Sequence, residues 1–492
     1  MFCSCKKIKI PGILKEFNAV FQSNGFKAYL VGGAVRDIFL KKEASDWDVA
    51  TNATPQDVIK MFKFVVPTGI EHGTVTVHFK KAEIEVTTFR TEAGYSDGRH
   101  PDSINYAATI EEDLSRRDFT MNAIAVNLCG GKIVDPFYGR KDIRKKIIRT
   151  VGNPHQRFME DGLRPIRALR FSSKLGFKIE DSTYKEIKNS EVQKKITSIS
   201  IERFRDEFIK IMLSPLPSVG LKKMEETGIL NLFIPEFSVC RGCIQSDYRA
   251  FHKFDVLDHL FYASDGANKN KLNVRLAALF HDIGKPAAKK IIEEKVFDSS
   301  SQSYKNVETL TFYNHESYSE KITRQIMTRL KFSNDEINNV CHLVKEHMFH
   351  YEQNWTQAAV RRFIIRVKEE CIEDLFDLRM ADMYGMWNEQ VDIKYSSAIK
   401  LLLELKERIK DELEKKTALS LKDLKINGKD LIDIGFKPGK QLGQILEELF
   451  NSVIEDPELN TKEKLLQIAN SYKKKMRVYS KGCQLSFLTP NS

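Results

Sequence analysis

The sequence predicts an α+β protein in which a mixed α/β head at the N-terminus is followed by all-α domains. Three observations predict it. Alternating β-branched segments, Thr74-Val75-Thr76-Val77-His78-Phe79 and Glu83-Ile84-Glu85-Val86-Thr87-Thr88-Phe89, fall within residues 8–150. After Asn153-Pro154 the apolar spacing turns helical and stays so almost to the end. The chain is also long enough for about three domains, each with its own core.

In order, a helix is expected over 13–23 and a strand over 28–31, the latter leading into Gly32-Gly33 and a second, amphipathic helix start, Ala34 to Leu40. Domain boundaries are placed to give a head at 1–152, a helical neck at 153–245, a further helical domain at 246–391 and a helical tail at 392–492. The polar, Ser-rich stretch 297–306 reads as a loop, and 417–427 as the approach to a final basic helical segment.

Composition narrows the function classes. A hydrophobic fraction of 42% with 29% charged residues is ordinary for a soluble globular chain. No apolar run approaches membrane-spanning length, and the start of the sequence has no apolar region followed by a small-residue cleavage site, so a cytoplasmic location is expected. The 8 cysteines are too few for a disulfide framework, and Cys3-x-Cys5 and Cys240-x-x-Cys243 lack a matching pair for zinc, which leaves reduced thiols. A net charge of +11 favours a polyanionic partner, with nucleic acid foremost.

Asp46 and Asp48 lie one residue apart and would point to the same side of an extended strand. Two such carboxylates repel unless divalent cations neutralise them, and a cation pair at that spacing is also what stabilises attacking and leaving oxygens in phosphoryl transfer; Mg2+ suits oxygen ligands and phosphates. Glu85 sits on the polar side of an alternating strand and is the third acid of the expected catalytic set. Gly32 and Gly33, between a hydrophobic strand and a helix start, would let backbone N–H groups approach phosphate, with Arg36 alongside.

The string Leu30-Val31-Gly32-Gly33-Ala34-Val35-Arg36-Asp37 with Asp46-x-Asp48 resembles the first motif of the class II tRNA nucleotidyltransferases, the CCA-adding enzymes that share a fold with bacterial poly(A) polymerases. The run 90–101, with Arg99, resembles the flexible loop of that family, and Asp113-Leu114-Ser115-Arg116-Arg117-Asp118-Phe119-Thr120-Met121-Asn122-Ala123 its third motif. The resemblance implies a polymerase-beta-like head and a nucleotide contact for Arg117. Chemically, Arg116-Arg117-Asp118 suits a triphosphate clamp: guanidinium forks match phosphate oxygens, and Asp118 can hold one of them in place.

In 157–171, Asp161, Arg164, Arg167 and Arg170 recur every three residues and would form a slowly rotating polar ridge on a helix. By resemblance, the positions Glu160-Asp161 and Arg164 read the Watson–Crick edge of the incoming base. A carboxylate accepts from the amino group of C or A and an arginine donates to the neighbouring ring nitrogen, whereas G and U present the opposite polarity. Pro165 sits oddly within such a ridge. A later helix, 200–208, resembles the last family motif, with structural pairing expected of Glu202 and Arg203.

An ordered series, His259, then His281-Asp282 followed by Ile-Gly-Lys-Pro, then His315, then Asp382, resembles the HD metal-dependent phosphohydrolase superfamily, which many class II tRNA nucleotidyltransferases carry as a fused domain. His259, His281, Asp282 and Asp382 would then be ligands of a divalent metal of unassigned identity, and His315 a phosphate contact, with phosphatase or 2′,3′-cyclic phosphodiesterase activity implied. His342, His347 and His350 are set aside as bystanders. The tail from Leu424 through Lys440 resembles the tRNA-holding region of the family, with Lys429, Lys437 and Lys440 as sequence-independent phosphate contacts.

The expected function is template-independent addition of CCA to the tRNA 3′ end from CTP and ATP, with Mg2+ in the head, release of pyrophosphate, and neither a membrane nor a protein partner. Poly(A) polymerase is the near alternative; the strand from Pro67 to Val75 resembles the tRNA enzymes, and a Gly-Arg-Arg-Phe run is missing. Addition of the terminal A alone stays open. A reading of another class is an HD phosphohydrolase whose head only binds nucleotide or RNA, against which the set Asp46, Asp48 and Glu85 speaks.

Overall fold

The computed structural model describes residues 7–43, 46–93, 103–245, 253–298, 302–389, 396–415 and 417–482. The head begins with α1 (Gly12–Ser23), β1 (Ala28–Val31), α2 (Gly32–Phe39), β2 (Trp47–Thr51) and α3 (Pro55–Met61). There follow β3 (Val65–Gly69), β4 (Thr74–Phe79), β5 (Ala82–Thr88), β6 (Arg90–Ala93), β7 (Ser103–Tyr106), α4 (Ile110–Ser115), β8 (Ala125–Asn127), β9 (Ile133–Val134) and α5 (Gly139–Lys145). Seven strands make one sheet in the order β3-β4-β5-β2-β1-β8-β9. The apolar stripe of α1, Leu14, Phe17 and Phe21, recurs at helical spacing and is buried in the head core, with Phe17 stacked on Phe62 at 4.8 Å between centroids.

Sheet order is what brings the acids together. β2 and β5 are parallel neighbours whose register sets Asp48 opposite Glu85, although 36 positions of chain lie between them. β1 is apolar and buried between β2 and β8, and the chain leaves it directly into α2, the turn being made by Gly32 at φ +68.

Beyond β10 (Ile147–Ile148) come α6 (Pro154–Glu160), α7 (Leu163–Leu175), β11 (Lys178–Ile179), α8 (Asp181–Ile187), α9 (Ser190–Thr197), α10 (Ile201–Met212), α11 (Pro217–Glu226) and α12 (Ile229–Phe233). The single ridge expected over 157–171 is therefore two helices. α6 stops at Asp161, which is extended, and a Cβ on Gly162 would lie 2.5 Å from the Lys195 carbonyl, so the chain needs glycine where the helix breaks. Pro165 then falls in the first turn of α7, where an N–H would have no partner within the helix. This removes the oddity seen in the sequence.

The third region holds α13 (Val256–Gly266), α14 (Leu272–Phe280), α15 (Lys285–Ala288), β12 (Lys290–Asp298), β13 (Ser303–Thr311), α16 (His315–Arg329), α17 (Asn334–Glu346), α18 (Gln357–Val367) and α19 (Ile372–Trp387). The stretch 297–306, read from sequence as a loop, instead contains the ends of two nine-residue antiparallel strands, residues 299–301 between them lying outside the described residues. Alternation explains it: Ile292, Val296, Val307 and Thr309 lie on the more buried side, and polar residues interrupt them so regularly that the segment reads as plain polarity.

The tail comprises α20 (Ser397–Glu414), α21 (Gly428–Asp433), α22 (Lys440–Glu455) and α23 (Lys462–Gly482). One cluster of buried side chains runs from Ile10 to Ile409 and another, separate one from Ala418 to Ala469. Among the described residues no helix is long and apolar enough to cross a membrane.

Candidate functional site

The head and neck enclose a cavity of about 420 Å3 lined by Gly32, Gly33, Arg36, Asp48, Arg116, Arg117, Asp118, Asn122, Asp161, Arg164, Arg167, Arg170, Phe171, Lys174 and Arg203, with Leu163 the remaining wall. Thirteen of these sixteen residues are ones singled out from the sequence or from a motif quoted there, Leu163, Phe171 and Lys174 being the others. Arginines dominate the wall, so the cavity is built for a polyanion.

Each arginine is fixed, and the fixing partners differ from those expected. Asp118, expected to hold Arg116 or Arg117, instead takes both Nε and Nη2 of Arg167, at 2.9 and 2.7 Å. Burial works against its charge, yet the Arg167 guanidinium and a hydrogen bond from Asn122 hold its carboxyl down at about 2. Asp113, wholly buried at the end of α4, takes Arg116 (2.8 Å) and Arg117 (3.1 Å) because its side chain lies three and four residues back. Arg36 is pinned by Asp37 and Asn122. Burial lowers Arg170 to about 10 against the charge of Glu207, 2.8 Å away, and its guanidinium lies 4.0 Å from the Phe171 ring centroid.

At the break between α6 and α7, Arg164 donates to the Glu160 carboxylate (2.5 Å), the Arg157 carbonyl (3.1 Å) and the Arg116 carbonyl (3.0 Å). Asp161 accepts from Arg203 of α10 at 2.9 Å. Glu202 and Arg203 do not pair with each other: Arg203 lines the cavity, while Glu202 reaches Lys331. Arg203 is thus a cavity residue that sequence reasoning assigned to structure alone; its place one turn from Glu207, on the same helix face, was the signal available.

At the mouth, burial first, then the charges of Glu85 and Asp46, push the Asp48 carboxyl up to about 6, with Arg117 opposing. A carboxylate so poorly compensated, facing two further acids, is a site that a divalent cation fits, and an all-oxygen donor set suits Mg2+. Asp46 and Glu85 are exposed, and the trio is open: the two groups of three whose ligand atoms lie within 4.8 Å of one another among the described residues are both elsewhere. The loop with Arg99 lies outside the described residues.

Those two groups are His259, His281 and Asp382, and His281, Asp282 and His347. Asp282 is central. Its Oδ2 is 3.4 Å from His259 Nε2 and 3.3 Å from His281 Nε2; its Oδ1 is 3.0 Å from His315 Nε2 and 3.6 Å from His347 Nε2. His347, set aside from the sequence, therefore belongs to the cluster, whereas His342 bonds the Val367 carbonyl and His350 is exposed beside Glu352. The Nδ1 atoms of His281, His315 and His347 each bond a backbone carbonyl three residues back, which leaves Nε2 of each turned to the carboxylates. That outer shell is what a metal-binding imidazole requires. His281 is raised to about 10 against its burial by Asp282, and Asp282 is held well below its ordinary range by His281 and Lys285 despite burial. The donors fit a divalent metal. The cluster opens on a cavity of about 670 Å3 whose wall includes Lys285, Arg379, Tyr313, Met348, Met383 and Met386.

In the tail, Lys429, Lys437 and Lys440 are exposed, Lys440 at the start of α22 behind Gly439.

Comparison with known proteins agrees with the head and neck geometry. The sequence family described as Poly A polymerase head domain matches residues 28–149, the RNA and SrmB-binding site of polymerase A matches 176–240, and tRNA nucleotidyltransferase domain 2 matches 302–469. A CCA-adding enzyme of Enterococcus faecalis is 32% identical over 464 residues, 94% of this chain and 95% of that protein. One from Lactobacillus helveticus is 47% identical over 241 residues, 48% of this chain and 59% of the other. The crystal structure of the Bacillus stearothermophilus CCA-adding enzyme in complex with CTP superposes with a TM-score of 0.68 at 26% identity, covering 96% of this chain and 100% of that one.

Proposed function

This chain belongs to the CCA-adding enzyme family of tRNA nucleotidyltransferases, and from that premise we propose that the arginine-walled cavity binds CTP and ATP in turn and adds them to the 3′ end of tRNA. The observation that carries this reading is the joining, in one cavity, of a cation-fitting acid, a glycine turn, a set of fixed arginines and a paired Asp161 and Arg164. Backbone N–H groups of Gly32 and Gly33 at the start of α2 and the guanidinium groups of Arg36 and Arg117 hold the triphosphate. Asp161 accepts from the base amino group and Arg164 donates to the adjoining ring nitrogen, each oriented beforehand by Arg203 and by Glu160. The 3′-oxygen of the RNA forms a bond to the α-phosphorus as the α–β bridging oxygen leaves with pyrophosphate, so no side-chain nucleophile is required.

Members of this family use divalent metal. Asp46 and Asp48, with Glu85 beside them, would hold Mg2+, which when bound supplies charge neutralisation at the attacking and leaving oxygens. Lys429, Lys437 and Lys440 would hold the tRNA backbone.

The His259, His281, Asp282, Asp382 cluster supports a second, separate reading: hydrolysis of a phosphate monoester or 2′,3′-cyclic diester, with a divalent cation supplying Lewis-acid polarisation when bound. Lys285 and Arg379 would meet the phosphate charge there.

The test uses tRNA transcripts ending at the discriminator base, after C and after CC, each with Mg2+ and a single labelled CTP or ATP. CTP incorporation on the first two and ATP on the third is expected. ATP on the third alone would mean terminal-A addition, and repeated ATP addition to any RNA would mean a poly(A) polymerase. For the second site, release of phosphate or ring opening of 2′,3′-cyclic AMP with Mn2+ or Ni2+, lost in Asp282→Asn, is expected; indifference to that substitution would remove the reading.

A further inference from the structure

Two helices carry the base-reading groups of the cavity: α7 bears Arg164, Arg167 and Arg170, and α10 bears Arg203 and Glu207, which hold Asp161 and Arg170. Both helices end at one corner, residues 212–216. There Ser173 Oγ, near the end of α7, lies 2.5 Å from Ser214 Oγ and donates to the Leu216 carbonyl at 2.8 Å.

That corner is gripped from the third region of the chain. Arg275 of α14 is 2% exposed, and its Nη1 donates to the Met212 and Ser214 carbonyls, each at 2.5 Å, while Nε donates to the Ala267 carbonyl at 3.2 Å. A guanidinium buried with carbonyls as its hydrogen-bond partners is placed where a helix C-terminus is electronegative, so the end of α10 compensates its charge together with the nearby Asp265 carboxylate. Asp265 of α13 holds the next residues of the same corner, accepting from Ser218 N at 2.9 Å and Ser218 Oγ at 2.5 Å.

We infer that Arg275 is a positioning residue for nucleotide selection: by fixing the C-terminal ends of α7 and α10 against each other it sets the Arg170 and Glu207 pair near that end and, through the length of both helices, where Asp161 and Arg164 stand at the other, although it touches no nucleotide. Arg275 acts from the region that carries the histidine cluster, and only six positions before His281. The helical region 246–391 is then part of the base-reading apparatus, whatever its own cluster does. The inference rests on the nucleotide reading of the cavity.

The experiment compares wild type, Arg275→Lys and Arg275→Met as full-length chains, measuring tRNA affinity, kcat and KM for CTP and ATP, and incorporation of UTP relative to CTP. Small displacements far from the chemistry can cost as much as about 100-fold, and we expect Arg275→Met to raise both nucleotide KM values about ten-fold and to raise the UTP to CTP ratio, with tRNA affinity kept. Arg275→Lys, which keeps the charge and one donor direction, should fall between. A folded Arg275→Met chain with wild-type KM and base selectivity overturns the inference, as does a loss confined to kcat or to tRNA affinity. Should Arg275→Met not fold, the lysine variant decides, and wild-type KM and selectivity in it overturn the inference equally. A wild-type chain that adds no nucleotide would sink the nucleotide reading itself, an outcome visible before any variant is made.

Discussion

Asp48 shows how a residue can be costly to the fold and still be the one that the proposed reaction needs. Its carboxyl is pushed up to about 6 chiefly by burial and then by Glu85 and Asp46. In the unfolded chain it ionises near its ordinary value of about 4. The folded state therefore binds the proton more tightly, and the penalty for ionisation is absent below about pH 4, grows between there and about pH 6, and is full above it. In metal chelator, Asp48→Asn should accordingly be more stable than wild type at pH 7.5, by at most about 3 kcal/mol, with no difference at acid pH. Denaturant titrations at the two pH values check this; equal stability at both would contradict the carboxylate burial. The same variant should lose nucleotide addition. At this scale the residue types of the cavity were legible in the sequence, but the partners were not. Asp118 finds Arg167 across 49 positions and Asp161 finds Arg203 across 42, and only the packing of α4, α7 and α10 decides such pairs. His347 was missed for the same reason: a histidine on an apolar helix end reads as core until Asp282 is known to face it.

Elements position these groups through their ends, and two substitutions separate end effects from contacts. Gly32 begins α2 at φ +68, and a Cβ there would lie 3.1 Å from Asp48 Oδ2 and 3.2 Å from Arg117 Nη1. Gly32→Ala should cost about 1–2 kcal/mol of stability for the left-handed backbone. It should also abolish addition at saturating CTP, because the methyl group occupies the floor of the triphosphate site; retained kcat would argue against that site. Pro165, by contrast, stands in the first turn of α7 and removes no helix hydrogen bond. Pro165→Ala should lower stability by only about 0.4–1 kcal/mol, through freedom gained by the unfolded chain, and leave the CTP to UTP preference unchanged. Loss of selectivity would mean that proline shapes the base-reading turn directly. The head strands and the first helix were legible because their alternation and their 3.6-residue stripe are strong. The hairpin of β12 and β13 was not, since Ser303, Lys305 and Asn306 give its near end a composition that also describes a loop, while Ile291, Phe297 and Tyr304 stand exposed on its outer side and mark no buried stripe.

On the scale of the whole molecule, two acidic centres and a basic tail should respond independently to different ions. Lys437 and Lys440 are exposed on the tail, and replacing both with Ala should weaken tRNA binding uniformly across tRNA sequences and flatten the dependence of log K on log salt by about 2. An unchanged slope would remove them from the RNA surface. The centre around Asp282 brings buried imidazoles and carboxylates together across five helical elements, so a cation that binds there ties α13, α16, the end of α17 and α19 to the turn after α14. A ligand that binds only the folded state stabilises by about 2.7 kcal/mol at a hundred times its Kd. Mn2+ or Ni2+ should therefore raise the thermal midpoint of the wild-type chain by several degrees. Asp382→Asn, which removes one donor from the cluster, should lose most of that rise, while Asp48→Asn should keep it, because the head acids sit on or beside two neighbouring strands of one sheet at an open mouth and contribute little to cohesion. If both variants kept the rise, the helical cluster would hold no metal and its charges would be structural. If both lost it, the two centres would be coupled through the helices that join them, and the corner gripped by Arg275 would be the place to seek that coupling.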